Sequence, residues 1–220
     1  MTQFRDRTVA AAVGEWTRWG EQIIDQVGNR SFSDPHKKEG LDPWAEVVHG
    51  YWKDGTNNDY TGKNDIPWSA TFVSWVMRKA GADGRFKANE AHAVYIHWAI
   101  RNELDHTPGR FFFGRRVADT ILLPGDLIGA PRPHKNSAGK SVPTKMTYDL
   151  AAADFQYSSH CDIVVAVDTA AKTVETVGGN VSNAVTKKIW RLNDNGRLYL
   201  NPTQVKSETA PFVAIQNTLP

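Results

Sequence analysis

A serine near the start of a predicted helix is the side chain in this sequence best placed to act as a nucleophile. The helix begins near Pro67, since a proline in the first turn has no N–H to lose, and Gly81 suits its end. Ser69 precedes Phe72 and Val73 by three and four residues, so it shares their buried face. The helix N-terminus behind the Ser69 hydroxyl favours a nucleophile, or an anion bound beside it.

A histidine that opens a predicted strand is the candidate general base. Alternation along Ser159–Val167 places His160 and Asp162 on one face of the strand and Cys161 on the other. Cys161 then packs among aliphatic side chains as a small buried residue. Because it points away from His160, this cysteine is excluded as the nucleophile that the histidine would activate.

An asparagine on the next strand could supply the third member of a catalytic set. If Asp168 pairs with Thr173 across the hairpin turn, the register places His160 opposite residue 181, within one position. Asn180 follows two glycines at that level, and glycines let another segment approach closely. An asparagine beside a histidine can fix the orientation of the imidazole, as in a nucleophile–base–orienter set. The pairing thus predicts a contact between His160 and Asn180.

Each of these three residues has a purely structural alternative. A serine at a helix start is commonly a cap, a histidine at a strand start is commonly structural, and an asparagine after Gly-Gly is equally a turn residue. Further residues near the motifs are candidates for substrate binding: Trp52, Trp68, His92, Asp126 and Asp162.

The substrate-binding candidates have structural alternatives as well. Trp52 and Trp68 flank loops near the serine and could stack on a sugar or a peptide, although core packing is the favoured interpretation for either indole. His92 opens the fourth predicted helix, where it either borders the same cleft or caps the helix. Asp126 fits the turn before a strand, and Asp162 is a second candidate for orienting the histidine.

Hydrophobic periodicity predicts a helical first half and a β-rich second half. Helical spacing and capping signals cover residues 5–28, 42–52, 67–80 and 89–100. Alternation and turn signals predict strands within residues 124–129, 160–167, 173–178, 185–191, 197–200 and 211–215. Helices followed by strands predict an α+β fold with an antiparallel sheet.

The length of 220 residues suits a single domain. We expect its core in residues 42–190, after a helical N-terminal extension of residues 1–41 and before C-terminal strands in residues 191–220. Residues 131–159 form a long insertion between two strands, and such an insertion is either a binding loop or lid, or a surface excursion.

Composition and charge exclude several classes of function. The net charge of +2 is too small to indicate nucleic-acid binding. A single cysteine excludes an internal disulfide and a cysteine-based metal site, and the seven histidines lack ligand spacing, so we expect no metal or cofactor. No apolar run reaches the length of a membrane span, and the N-terminus lacks a secretory signal. We therefore expect a cytoplasmic protein as synthesised, which would need export or injection to act in a periplasm.

Three short motifs resemble those of the CHAP and NlpC-type cell-wall amidases and peptidases, a superfamily with a papain-like fold. They are Pro67–Val76 with Ala80-Gly81, His160–Val165 and Gly178–Asn180, while Pro124–Leu127 resembles a strand start in the same enzymes. The resemblance spans about residues 44–190. In those families a cysteine occupies the position of Ser69, so the chain is closer still to an uncharacterised bacterial branch in which serine is usual.

By this resemblance, Ser69 would be the nucleophile, His160 the general base and Asn180 the orienter of an α+β papain-like hydrolase. The substrate would be an amide bond in the stem peptides of peptidoglycan or a muropeptide. A serine hydroxyl, unlike a cysteine thiol, loses its proton to the base only during attack. Catalysis by serine therefore needs an oxyanion hole, which backbone N–H groups at the start of the helix could supply.

The resemblance also implies a biological setting and leaves two other functions open. A peptidoglycan hydrolase made without a signal would be a phage lysin or an antibacterial effector, and an effector would have a cognate immunity protein as a partner. Loss of the thiol could instead leave an inactive module that binds cell-wall fragments. A third hypothesis is glycan cleavage by carboxylates in the same cleft, for which Asp126 and Asp162 are the acidic candidates.

Overall fold

The computed structural model describes residues 2–25, 27–200 and 210–220. Within these ranges the helices are α1 (Gln3–Arg18), α2 (Trp44–Thr56), α3 (Ser69–Lys79), α4 (His92–Leu104) and α5 (Tyr148–Ala153). The strands are β1 (Ile23–Ile24), β2 (Arg30–Ser31), β3 (Phe112–Arg116), β4 (Leu127–Pro131), β5 (His134–Lys135), β6 (Ser141–Val142), β7 (Ser159–Asp168), β8 (Thr173–Val181), β9 (Ala184–Arg191) and β10 (Val213–Asn217). No helix within the described ranges is long and apolar enough to cross a membrane.

Most of the described strands form one sheet of eight, in the order β2-β1-β9-β8-β7-β4-β10-β3. Neighbouring strands pair antiparallel, apart from β1, which runs parallel to β9. This combination of helices with a mainly antiparallel sheet confirms the predicted α+β class. The hairpin of β7 and β8 also has the predicted pairing of Asp168 with Thr173.

The helix that begins at Ser69 packs against the middle of the sheet. Phe72, Val73 and Val76 of α3 are completely buried in the main core, and α3 contacts β7 and β8. Gly179 of β8 permits this approach, because a Cβ atom there would lie 2.6 Å from the Phe72 side chain. The apolar face of the helix therefore fixes Ser69 above the sheet.

The first predicted helix is shorter than expected. It ends at Arg18 rather than near residue 28, because the backbone of Gly20 takes a positive φ of 91° that does not continue a helix. Ile23 and Ile24 then form β1 beside β9. Their β-branched side chains suit a strand as well as the helical stripe to which periodicity assigned them.

The second half departs from a simple meander in three places. Residues 197–200 make isolated bridges to separate segments instead of a strand. Strand β10 lies between β4 and β3, and β3 is absent from the predicted set. The insertion at residues 131–159 contains the hairpin of β5 and β6 and the helix α5. The pairing of β10 with β3 and β4 joins segments about 80 to 100 residues apart along the chain, which local patterning does not reveal.

Candidate active site

The N-termini of α3 and α4 meet and bring a serine against a histidine. Ser69 is the first residue of α3, and His92 is the first residue of α4. Ser69 Oγ lies 2.7 Å from His92 Nε2, and the two residues are only 2% and 5% exposed. At this distance the hydroxyl can donate a hydrogen bond to a neutral imidazole, which is the arrangement of a nucleophile and its base.

A tyrosine is hydrogen-bonded to the second ring nitrogen of His92. The Nδ1 atom of His92 is hydrogen-bonded to the hydroxyl of Tyr95, one turn further along α4. For Nε2 to accept the Ser69 proton, Nδ1 must carry the ring hydrogen and donate it to the Tyr95 oxygen. Because Tyr95 is fully buried, it holds the imidazole in the orienting manner predicted for Asn180.

Burial and nearby positive charge keep His92 uncharged. Burial is the largest cause that holds the pKa of His92 well below its ordinary value of 6.5, and His160 and Arg132 lower it further. Asp162 acts in the opposite direction and is outweighed. The imidazole is therefore neutral at neutral pH, which is the protonation state that a general base needs.

A cavity of about 520 Å³ opens over the serine–histidine pair, and Ser69, His92 and Arg132 line it. We call it the nucleophile cavity. Arg132 follows directly after β4, and its Nη1 atom is 3.5 Å from Ser69 Oγ. The first N–H groups of α3 have no acceptor within the helix, so they can receive an oxyanion beside the serine. The cavity thus combines a nucleophile, a base and donors for developing negative charge.

His160, the predicted general base, belongs to a second polar cluster on β7. Its Nε2 atom is 2.8 Å from Asp162 Oδ1, because alternation along the strand puts both side chains on one face, as predicted. The ring centres of His160 and His92 are 5.3 Å apart, so the two histidines are neighbours. Among the described residues, however, the hydrogen bond of Ser69 goes to His92 and not to His160.

The carboxylate of Asp162 in this second cluster also forms an ion pair with Lys188. Lys188 donates to Asp162 Oδ2 at 2.9 Å. Burial would raise the pKa of Asp162, but Lys188 and His160 outweigh burial and hold this pKa far below its ordinary value. Burial lowers the pKa of His160 even though Asp162 opposes it. The three side chains line a second cavity of about 560 Å³, and Arg132 lines both cavities.

Asn180 holds the start of α3 instead of orienting His160. With its amide oxygen toward α3, the Asn180 side chain accepts from the Trp68 backbone N–H at 3.1 Å and donates to the Glu39 carboxylate at 3.2 Å. Asn180 lies where the pairing of β8 with β9 shifts register, between Gly178 and Val181, and it has a positive φ of 54°. The expected contact with His160 is thus replaced by one to the residue before the nucleophile.

Three of the predicted substrate-binding residues line neither cavity. Trp52 and Trp68 are each 1% exposed and pack in the main core, which agrees with the core-packing interpretation. Asp126 is fully buried, lies 2.8 Å from Arg5 and accepts hydrogen bonds from two backbone N–H groups. Burial raises the pKa of Asp126 against the opposing charge of Arg5. The contacts of Asp126 therefore tie α1 to the turn before β4 and to the end of β10.

Three residues of the two clusters are absent from the predicted site: Tyr95, Arg132 and Lys188. A signal for Tyr95 exists, since its spacing of three residues from His92 places both on one helix face. Arg132 lies in the long insertion, and Lys188 lies on a strand two positions away from β7 in the sheet. Only the tertiary structure brings these two cations to the site.

The fold and the site define an α+β protein with a buried serine–histidine pair. The chain belongs to a bacterial protein family, described as "Uncharacterized protein conserved in bacteria (DUF2272)", whose profile matches residues 40–217. This match covers Ser69, His92, Arg132 and His160. No curated protein and no solved structure shows a significant match to the chain.

Proposed function

We propose that this protein hydrolyses an amide bond in the stem peptides of peptidoglycan, with Ser69 as the nucleophile and His92 as the general base. The observation that carries the proposal is the 2.7 Å contact between Ser69 Oγ and His92 Nε2. The nucleophile cavity, at about 520 Å³, is of the size that binds small ligands and peptide segments. The N-terminus of α3 supplies donors for the oxyanion that forms when an amide is attacked.

The reaction would follow the two-step course of serine acyl transfer. Ser69 Oγ attacks the carbonyl carbon while His92 Nε2 takes the hydroxyl proton, and the carbonyl oxygen becomes an oxyanion near the first turn of α3. The intermediate then expels the amine, which receives the proton from His92, and an acyl-serine ester remains. Water, deprotonated by His92, attacks that ester and releases a carboxylic acid and free Ser69. Tyr95, hydrogen-bonded to His92 Nδ1, holds the orientation of the imidazole throughout.

The choice of peptidoglycan rests on the motif resemblance to CHAP and NlpC-type enzymes, and a papain-like fold is part of the proposal. It is supported by a nucleophile at the start of a helix that packs on an antiparallel sheet, with a histidine on the neighbouring strand β7. In this scheme His160 is the second histidine of the site. Its Nε2 atom is hydrogen-bonded to Asp162, whereas the Ser69 hydroxyl is hydrogen-bonded to His92. We therefore assign the serine proton to His92.

A peptidoglycan substrate would also determine where the protein acts and what it meets. The proposal then includes action outside the cytoplasm, as a phage lysin or as an antibacterial effector. An effector would be neutralised in the producing cell by a cognate immunity protein.

The test is a digest of purified peptidoglycan, analysed by mass spectrometry. The wild type should release peptides or lactoyl-peptides with new amino termini, and Ser69→Ala and His92→Gln should release none. Ser69→Cys should retain or raise the product yield, because a thiol is readily activated by a histidine. His97→Gln is the matched control, since His97 lies on the same helix but bonds the Ala151 carbonyl, and it should cleave like the wild type.

Three outcomes would contradict the proposal in different ways. Product from Ser69→Ala would move the chemistry to other residues. Reducing sugar ends without new amines would favour glycan cleavage, although Asp126 lines neither cavity and Asp162 is paired with Lys188. Fragments that bind to the wild type without any product would make the protein a cell-wall binding module.

A further inference from the structure

The nucleophile cavity contains a guanidinium group without a carboxylate partner in the described part of the chain. None of the ion pairs between described residues includes Arg132. Glu39 and Asp162 are the acidic groups that influence it, but each is engaged elsewhere, Glu39 with an indole N–H and Asp162 with Lys188. Among the described residues, the guanidinium group of Arg132 makes one hydrogen bond, the 3.5 Å contact with Ser69.

The backbone of Arg132 is held firmly in place. Its N–H donates to the Ser158 carbonyl at 3.1 Å, and its own carbonyl accepts from the Thr144 hydroxyl at 2.7 Å. Thr144 is in turn hydrogen-bonded to His134 at 3.0 Å. The cation is therefore presented to the cavity from a fixed segment of the insertion.

Partial burial makes this free cation unfavourable unless an anion joins it. Arg132 is half-buried, and this burial lowers its pKa against the opposing influence of Glu39 and Asp162. A cation removed from water is stabilised by an anionic partner. The planar fork of an arginine matches the two oxygens of a carboxylate.

We propose that Arg132 binds a carboxylate of the substrate and so selects acidic peptides, an inference that rests on the proposed function. A carboxylate oxygen would lie about 2.8 Å from the guanidinium, and the scissile carbon about 3.3 Å from Ser69 Oγ. With 3.5 Å between Ser69 Oγ and Arg132 Nη1, the carboxylate belongs within about 10 Å of the scissile carbon, a span of about three extended residues. Stem peptides of peptidoglycan carry free carboxylates within that span.

The test measures binding to a protein that does not turn over. Ser69→Ala is titrated with a synthetic tetrapeptide stem in two forms, one with free carboxylates and one with every carboxylate converted to an amide. The acid form should bind at least about tenfold more tightly, the order expected for a charge-assisted pair, and the preference should weaken at high salt. Adding Arg132→Gln should remove the preference, and adding Arg132→Lys should restore part of it.

The control variant also loses one arginine charge, but at a position outside the nucleophile cavity. Arg78 lies in the last turn of α3, at the opposite end from Ser69, so Ser69→Ala with Arg78→Gln should keep the full preference. Equal affinity for the two peptides, a preference that survives Arg132→Gln, or no binding of either peptide would overturn the assignment. The binding assay and the peptidoglycan digest test the two proposals separately. A preference for the acid peptide without any digest product from the wild type refutes hydrolysis alone. A digest product without such a preference refutes only the role of Arg132.

Discussion

Replacement of Asp126 by asparagine should destabilise the protein, although Asp126 touches neither cavity. The carboxylate is fully buried, lies 2.8 Å from the Arg5 guanidinium and accepts from two backbone N–H groups. Asparagine keeps the shape but removes the charge, so Arg5 would retain a buried positive charge without its counter-ion. Removal of one partner of a buried ion pair costs about 3–5 kcal/mol. The lower end applies here, since Arg5 also donates to three backbone carbonyl groups.

Thermal unfolding followed by circular dichroism measures this loss. At about 3 kcal/mol, and with about 2–4 °C of Tm for each kcal/mol at this chain length, Asp126→Asn should melt about 6–12 °C below the wild type. Asp149→Asn is the control, because Asp149 pairs with Arg116 at the surface, where the side chains are 71% and 50% exposed. An exposed pair contributes little, so this variant should melt close to the wild type. Equal shifts for the two variants would refute the view of Asp126 as a buried anchor.

The remaining predictions concern the site. Turnover of peptidoglycan should persist below pH 6.5 and fall only as the pH drops through the lowered pKa of His92, because the base works in its neutral form. In the same pH–rate profile, His160→Gln should move this acid limb upward, since His160 is one of the groups that lower the His92 pKa; an acid limb above pH 6.5 in the wild type would contradict both statements. Gly178→Ala should reduce turnover by about tenfold or more, because its Cβ would lie 1.8 Å from Asp162 Oδ1 and displace groups beside the site. Gly50→Ala, where a Cβ meets no atom within 4 Å, should turn over at the wild-type rate, and equal rates for the two variants would count against this role of the glycine.

Local patterns predict the elements of the site better than they predict its contacts. The apolar spacing after Ser69 predicts a helix over residues 67–80, and α3 runs from Ser69 to Lys79. The turn between Asp168 and Thr173 predicts the β7–β8 hairpin with the pairing that the structure has. Both features depend on neighbours in sequence, and periodicity records such neighbours directly.

The partner of the nucleophile depends on tertiary structure. His92 is 23 residues from Ser69, and their contact exists because the starts of two helices meet. No pattern within either helix specifies that meeting. The place of Asn180 is predicted from the β7–β8 register, but it lies where β8 shifts register against β9, and its side chain bonds Trp68 and Glu39. An irregularity of one or two residues in a strand is enough to change which side chains face each other.

Covalent labelling by a fluorophosphonate is the most direct test of the claim that His92 activates Ser69. In this reaction the serine oxygen bonds to phosphorus and displaces fluoride, and intact-protein and peptide mass spectrometry locate the adduct. The account predicts one adduct, on Ser69, which is absent in Ser69→Ala. Its rate should fall about 100-fold or more in His92→Gln, the contribution typical of a general base, and should be unchanged in His97→Gln. An adduct on another residue, or labelling of His92→Gln at the wild-type rate, would contradict it.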